Sequence, residues 1–133
     1  MPWTRCAERR RGESGAAVVD FVLVVVVLVP LVLGIAQVAL VMHVRNTLAS
    51  AAAEGARYAA AQGGSGAAGE RRTREQIDAA IAGRFAENVT VRHVTVGGQP
   101  TIEVVVHASV PALGLGGPGV RITATGHAVE EPP

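Results

Sequence analysis

Gly15-Ala-Ala-Val-Val-Asp20 runs directly into Phe21-Val-Leu-Val-Val-Val-Val-Leu-Val-Pro30-Leu-Val-Leu-Gly34-Ile-Ala-Gln37-Val-Ala-Leu-Val-Met42. Gln37 is the only strongly polar side chain after Asp20, and Arg9, Arg10 and Arg11 stand just upstream. At about 1.5 Å rise per residue, some 20 apolar residues cross a hydrocarbon core of about 30 Å, so this run reads as a helix whose solvent is membrane lipid. Pro30 withholds an amide hydrogen from the carbonyl of Val26 and crowds it with its ring, which predicts a kink. Gly34, one turn later, adds a groove. Gly15 and Ala16, with Asp20 and Phe21, read as a processing site joined to this helix.

Working outward, residues 1–15 form a polar, arginine-rich leader without apolar period, expected to be disordered. In the other direction helix propensity continues past the apolar run, because Asn46 to Ala61 is mostly alanine apart from Gly55. One helix over residues 16–62, roughly 70 Å long, is predicted. The small side chains of its second half suit close helix bundling. Residues 63–69, Gly-Gly-Ser-Gly-Ala-Ala-Gly, read as a flexible linker.

Residues 70–133 remain for a small domain. Ile77, Ile81 and Phe85 at i, i+4 steps predict an amphipathic helix over Glu70 to Ala86. Three strand candidates follow at Val89 to Val96, Thr101 to Val110 and Val120 to Val129. Gly97-Gly98-Gln99-Pro100 would form the first turn and a glycine-rich loop from Pro111 to Gly119 the second. The expected fold class is α+β: a long N-terminal transmembrane helix continuing into an exterior helix, then one amphipathic helix against a three-stranded antiparallel sheet. Ile102, Val104 and Val106 on the second strand and Val120, Ile122 and Ala124 on the third join Ile77, Ile81 and Phe85 as the expected core.

The composition narrows the function. Outside the leader and the spanning run roughly 80 to 90 residues remain, too few for a large buried active site. The formal net charge is +1, every basic residue is arginine, and downstream of Arg57 arginines alternate with glutamates and Asp78, a pattern that speaks against nucleic acid as a partner. The abundance of Ala, Val, Gly and Arg without lysine points to a bacterial, G- and C-rich genome. Cys6 is the single cysteine, so no internal disulfide forms. Arg5, Arg9, Arg10 and Arg11 before the span outnumber Arg45 and Arg57 after it, which favours a cytoplasmic N-terminus and an exterior C-terminal domain.

The search for chemistry is short. His93, His107 and His127 fall one on each strand candidate, but no acid beside them is placed as a general base, and neither a metal nor any other cofactor is expected. Asn88-Val89-Thr90 matches the glycosylation pattern by composition alone. Glu54 and Arg57, at i, i+3, are expected to pair on the helix surface. The chain reads as a structural protein and not as an enzyme.

The arginine-rich leader, Gly15 before Ala16, Asp20, Phe21, the Pro30 and Gly34 pair, and Glu54-Gly55-Ala56-Arg57-Tyr58-Ala59-Ala60 near the helix end together resemble the TadE-like family, the minor pilins or pseudopilins of tight-adherence (Flp-type) pilus systems. The resemblance implies cleavage after Gly15 by a membrane prepilin peptidase, leaving Ala16 first and Asp20 as the acidic fifth residue. It further implies partnership with other pilin or pseudopilin subunits and the assembly machinery, as a homo- or hetero-oligomer through the N-terminal helix, in pilus assembly, secretion or surface adhesion. The family usually carries glutamate at the fifth position, where this chain has the shorter aspartate. The alternative reading is a secreted or membrane-anchored exterior domain that binds a ligand or cell-wall component. That reading needs an ordinary signal anchor, or a signal peptide cut near Gln37, although the apolar run carries on through Val38 to Val44.

Overall fold

A computed structural model describes residues 9–61, 64–81, 83, 86–112 and 118–130. Helix α1 spans Arg9–Ala60, helix α2 Gly66–Ala80, and strands β1, β2 and β3 span Ala86–Val96, Gln99–Val110 and Val120–Val129. The α+β class expected from the sequence is the class observed. The chain divides into two compact units, Met1–Ala36 and Gln37–Pro133.

In the first unit the helix already begins at Arg9, so the last residues of the expected leader are helical. Its side chains from Gly15 to Ala36 are exposed apart from half-buried Val25. The helical assignment passes through Pro30. A helix that is apolar all round and unburied needs a non-aqueous solvent, and this one is long and apolar enough to cross a membrane.

In the second unit the strands form an antiparallel sheet of order β1-β2-β3. Gly97 and Gly98, at φ +59° and +82°, close a two-residue hairpin, because both central positions of this turn require the left-handed region that glycine tolerates. Gln99 and Pro100, expected in that turn, instead open β2. Pro100 is acceptable there because it sits at the strand's beginning, where its carbonyl accepts from the Glu130 amide at 3.0 Å. Ile102 pairs with His93 and Ala128, and Val106 with Val89 and Ala124.

Ile102, Val104, Val106, Ile122, Ala124 and Ile77 are buried as expected, and Ile81 packs against the core from a half-buried position. Val120 departs from expectation: at the start of β3 it is 43% exposed. Phe85 lies outside the described residues. The larger difference is the contribution of α1, whose Val44, Leu48, Ala52 and Ala56 are all within 1% of full burial. These four recur every fourth residue and form one helical stripe. The stripe rests on the sheet at Gly126, where a Cβ would fall 2.6 Å from the Ala52 carbonyl oxygen and closer still to the Ala52 carbon and the Ala53 nitrogen.

The expected linker also differs. Gly66 to Gly69 form the first turn of α2, and the extended Ser65 caps it by accepting the Ala68 amide on its hydroxyl at 3.2 Å. The glycine at position 69 serves packing and not flexibility, since a Cβ there would meet the Gly55 carbonyl oxygen at 2.7 Å and the Ala59 methyl at 2.6 Å. At its other end α2 stops at Ala80, short of the expected Ala86, with extended Ile81 donating its amide to the Ile77 carbonyl at 2.8 Å.

Candidate processing and assembly site

The functional residues lie in two places along α1. At its N-terminal part Gly15, Ala16 and Asp20 occupy consecutive exposed turns, and Phe21 is 68% exposed. A Cβ at Gly15 would meet nothing within 4 Å, and the same holds for Gly34. Neither glycine is therefore required by packing among the described residues. Asp20 forms no ion pair among the described residues. An exposed carboxylate at the head of an apolar helix is available to a partner outside this chain, and it costs little while it stays at the membrane boundary.

The second place is the crossing of α1 over α2. Gly55 is buried because a Cβ there would overlap the Thr73 hydroxyl and lie 2.8 Å from the Gly69 carbonyl oxygen. Gly55 and Gly69 thus let the two backbones approach, as small residues do at close helix contacts. Fully buried Thr73 donates its hydroxyl to the Gly69 carbonyl at 2.9 Å, so the contact has no unsatisfied polar side chain. Ala56 is fully buried beside this crossing, whereas Tyr58 remains half exposed.

Glu54 pairs across the crossing with Arg72 on α2 at 3.7 Å, and not with Arg57 as its i, i+3 spacing led us to expect. Arg72 also reaches Glu75 at 3.8 Å, so the pair belongs to a small surface network. Each member is about half exposed, and such pairs contribute from nothing to about 1 kcal/mol. Glu54→Gln is accordingly expected to lower unfolding stability by less than about 0.5 kcal/mol, checked by urea titration of the detergent-solubilised protein.

The alanine-rich half of α1 is not a free bundling surface. Ala51, Ala52, Ala56, Ala59 and Ala60 are buried in the chain's own core, which corrects the expectation of helix bundling through that half. The exposed surface for lateral helix packing is the stretch from Gly15 to Ala36. The polar cleft beside the crossing, about 260 Å³, is lined by Thr47, Ser50, Glu54, Arg57 and Gln76. The Thr47 hydroxyl is engaged there with the His43 carbonyl at 3.0 Å.

The strand histidines do not converge. His93 pairs with Ile102 on the buried face of the sheet and meets Glu130 at 2.6 Å through Nδ1. His107 and His127 lie on the other face, opposite Thr123 and Glu103. Among the described residues no three of His, Cys, Asp and Glu gather as a metal site.

No curated protein and no solved structure matches the chain. A family model does match, and its limits coincide with the two places just described, from the exposed glycine before Ala16 to the arginine of the helix crossing. Over residues 15–57 the chain is similar to the family described as TadE-like protein.

Proposed function

We propose that this protein is a minor pilin or pseudopilin of a tight-adherence pilus, cut after Gly15 by a prepilin peptidase and held in the membrane by α1 until it enters assembly. The match to the TadE-like family supports a pilus-associated, minor-pilin-like role. The observation that supports the finer reading is that the family match begins at Gly15, just ahead of Asp20, Phe21 and the apolar run. The N-terminus faces the cytoplasm and the second unit the exterior, in keeping with the arginine bias. The role is structural, and its chemistry is supplied by the peptidase.

Cleavage would convert Ala16 into a cationic α-amino terminus at the edge of an apolar environment. Two unit charges about 4 Å apart at an effective dielectric near 20 attract by roughly 4 kcal/mol, less the cost of desolvating them. Asp20 of a neighbouring subunit supplies the carboxylate, fixing the axial register of adjacent helices. Because Asp20 has no partner within its own described chain, Asp20→Ala is expected to leave insertion and folding unchanged. Recovery in the assembled surface fraction should fall by about tenfold, as loss of a net 1.4 kcal/mol dictates, while Asp20→Glu retains assembly. Quantitative immunodetection of membrane and sheared surface fractions reads this out, and normal assembly of the alanine variant would remove the charge pair.

A further inference from the structure

Thr47, Ser50, Glu54 and Arg57 recur at three- and four-residue steps along α1 and so share one helical face. The close crossing at Gly55 and Gly69 brings α2 against that face, with Gln76 and Ala80 one turn apart on the other wall. Ala51, Ala53 and Ala80 are too short to fill the angle between the two helices, and the cleft of about 260 Å³ is what remains. All of its lining residues belong to the second unit.

Much of its polar lining is uncommitted. Because Glu54 turns to Arg72, the Arg57 guanidinium has no acidic partner among the described residues, although an acid stands one turn before it on the same helix. The side chains of Ser50 and Gln76 likewise hydrogen-bond to nothing among the described residues. A guanidinium presents a planar fork that matches a carboxylate through two parallel hydrogen bonds. A hydroxyl and a carboxamide each donate and accept, which matches a peptide unit, and the Glu54 carboxylate accepts from an ammonium. The alanine methyls between them suit small side chains. The volume lies just below the range of about 300 to 1,000 Å³ that takes drug-sized ligands, so the occupant is smaller than those.

We propose that this cleft binds a short peptide with small side chains and a free C-terminal carboxylate, either a dipeptide or the end of a longer chain. Arg57 holds the carboxylate, Ser50 and Gln76 the peptide unit, and Glu54 the ammonium when the ligand is a dipeptide. The site is independent of processing at Gly15 and of packing through the apolar part of α1. It adds a recognition function to a chain whose other features are structural.

The test titrates alanylalanine against the full detergent-solubilised chain by ligand-observed NMR, with circular dichroism verifying the fold of each variant. Saturable binding is expected. Arg57→Gln, or amidation of the dipeptide's carboxylate, is expected to weaken it by at least about tenfold, because each removes a charge-assisted pair. Arg57→Lys keeps the charge without the fork and should lie between. Ala80→Leu, which fills the cleft and removes no polar group, should abolish binding. A longer peptide ending in the same Ala-Ala distinguishes the sources: undiminished binding assigns the site to a chain end, and loss of binding assigns it to a free dipeptide. No saturation with the folded wild-type chain, or saturation that Arg57→Gln and amidation both leave unaltered, overturns the proposal and leaves the pilin reading standing.

Discussion

Gly126→Ala is expected to lower the thermal midpoint of the folded unit by roughly 10 to 20 °C. The added methyl has no free space: the nearest atoms are backbone atoms of Ala52 and Ala53, which no rotamer change can move aside. Overpacking a tight contact costs about 1 to 3 kcal/mol where side chains can yield, and backbone against backbone sits at or beyond the upper end. Against this, alanine in place of a strand glycine recovers at most about 1 kcal/mol of conformational entropy. For a unit of this size each kcal/mol shifts the midpoint by about 4 to 8 °C. The total stability of such a domain is only about 5 to 15 kcal/mol, so the loss is a large fraction. Gly34→Ala, where a methyl meets nothing within 4 Å, is the matched control and is expected to leave the midpoint unchanged. Circular dichroism melts of the two variants in the same detergent decide the point, and an unshifted midpoint for Gly126→Ala would contradict the seating of α1 on β3.

Gly15→Val is expected to abolish processing without disturbing the fold, so that the uncut precursor accumulates in the membrane and the surface fraction is lost. Gly15 is exposed on α1 with open space around it, and nothing in the packing of the described residues asks for glycine there. On the proposed reading the glycine instead serves the peptidase that would act on this peptide bond. Helix α1 passes through Gly15, and a peptidase needs the chain locally extended. Glycine lowers helix stability by about 1 kcal/mol relative to alanine, and Gly12 and Ser14 weaken the same turns. Valine removes both the small side chain and part of this local lability. Mobility on a denaturing gel separates precursor from mature protein, and wild-type maturation of Gly15→Val would dissociate the glycine from processing.

The first half of the molecule was readable because its signals are local. An uninterrupted apolar run needs lipid whatever the rest of the chain does, and the glycine, the acidic residue and the aromatic stand in immediate succession at its head. The sheet was readable for a similar reason: alternation along β2 and β3 and the paired glycines at 97 and 98 report strands and turn without reference to partners. The helix crossing was not readable, because Gly55 and Gly69 owe their identity to one another across a gap in sequence. A glycine-rich stretch then resembles a linker even where it is a packed helical turn. The burial stripe of Val44, Leu48, Ala52 and Ala56 did carry a signal, its four-residue spacing, but the surrounding alanines made every face look equally small. Glu54 shows the same limit: its i, i+3 neighbour was visible in the sequence, and Arg72, its partner in space, was not.

The central claim is that Gly15 marks a boundary between a removed leader and a working helix. The most direct test is N-terminal sequencing of the mature protein recovered separately from its native membrane and surface fractions. A start at Ala16 in both fractions is the predicted result. An intact Met1 start, or a start near Gln37, would contradict it, the first leaving a plain membrane anchor and the second a secreted domain without the helix that assembly requires.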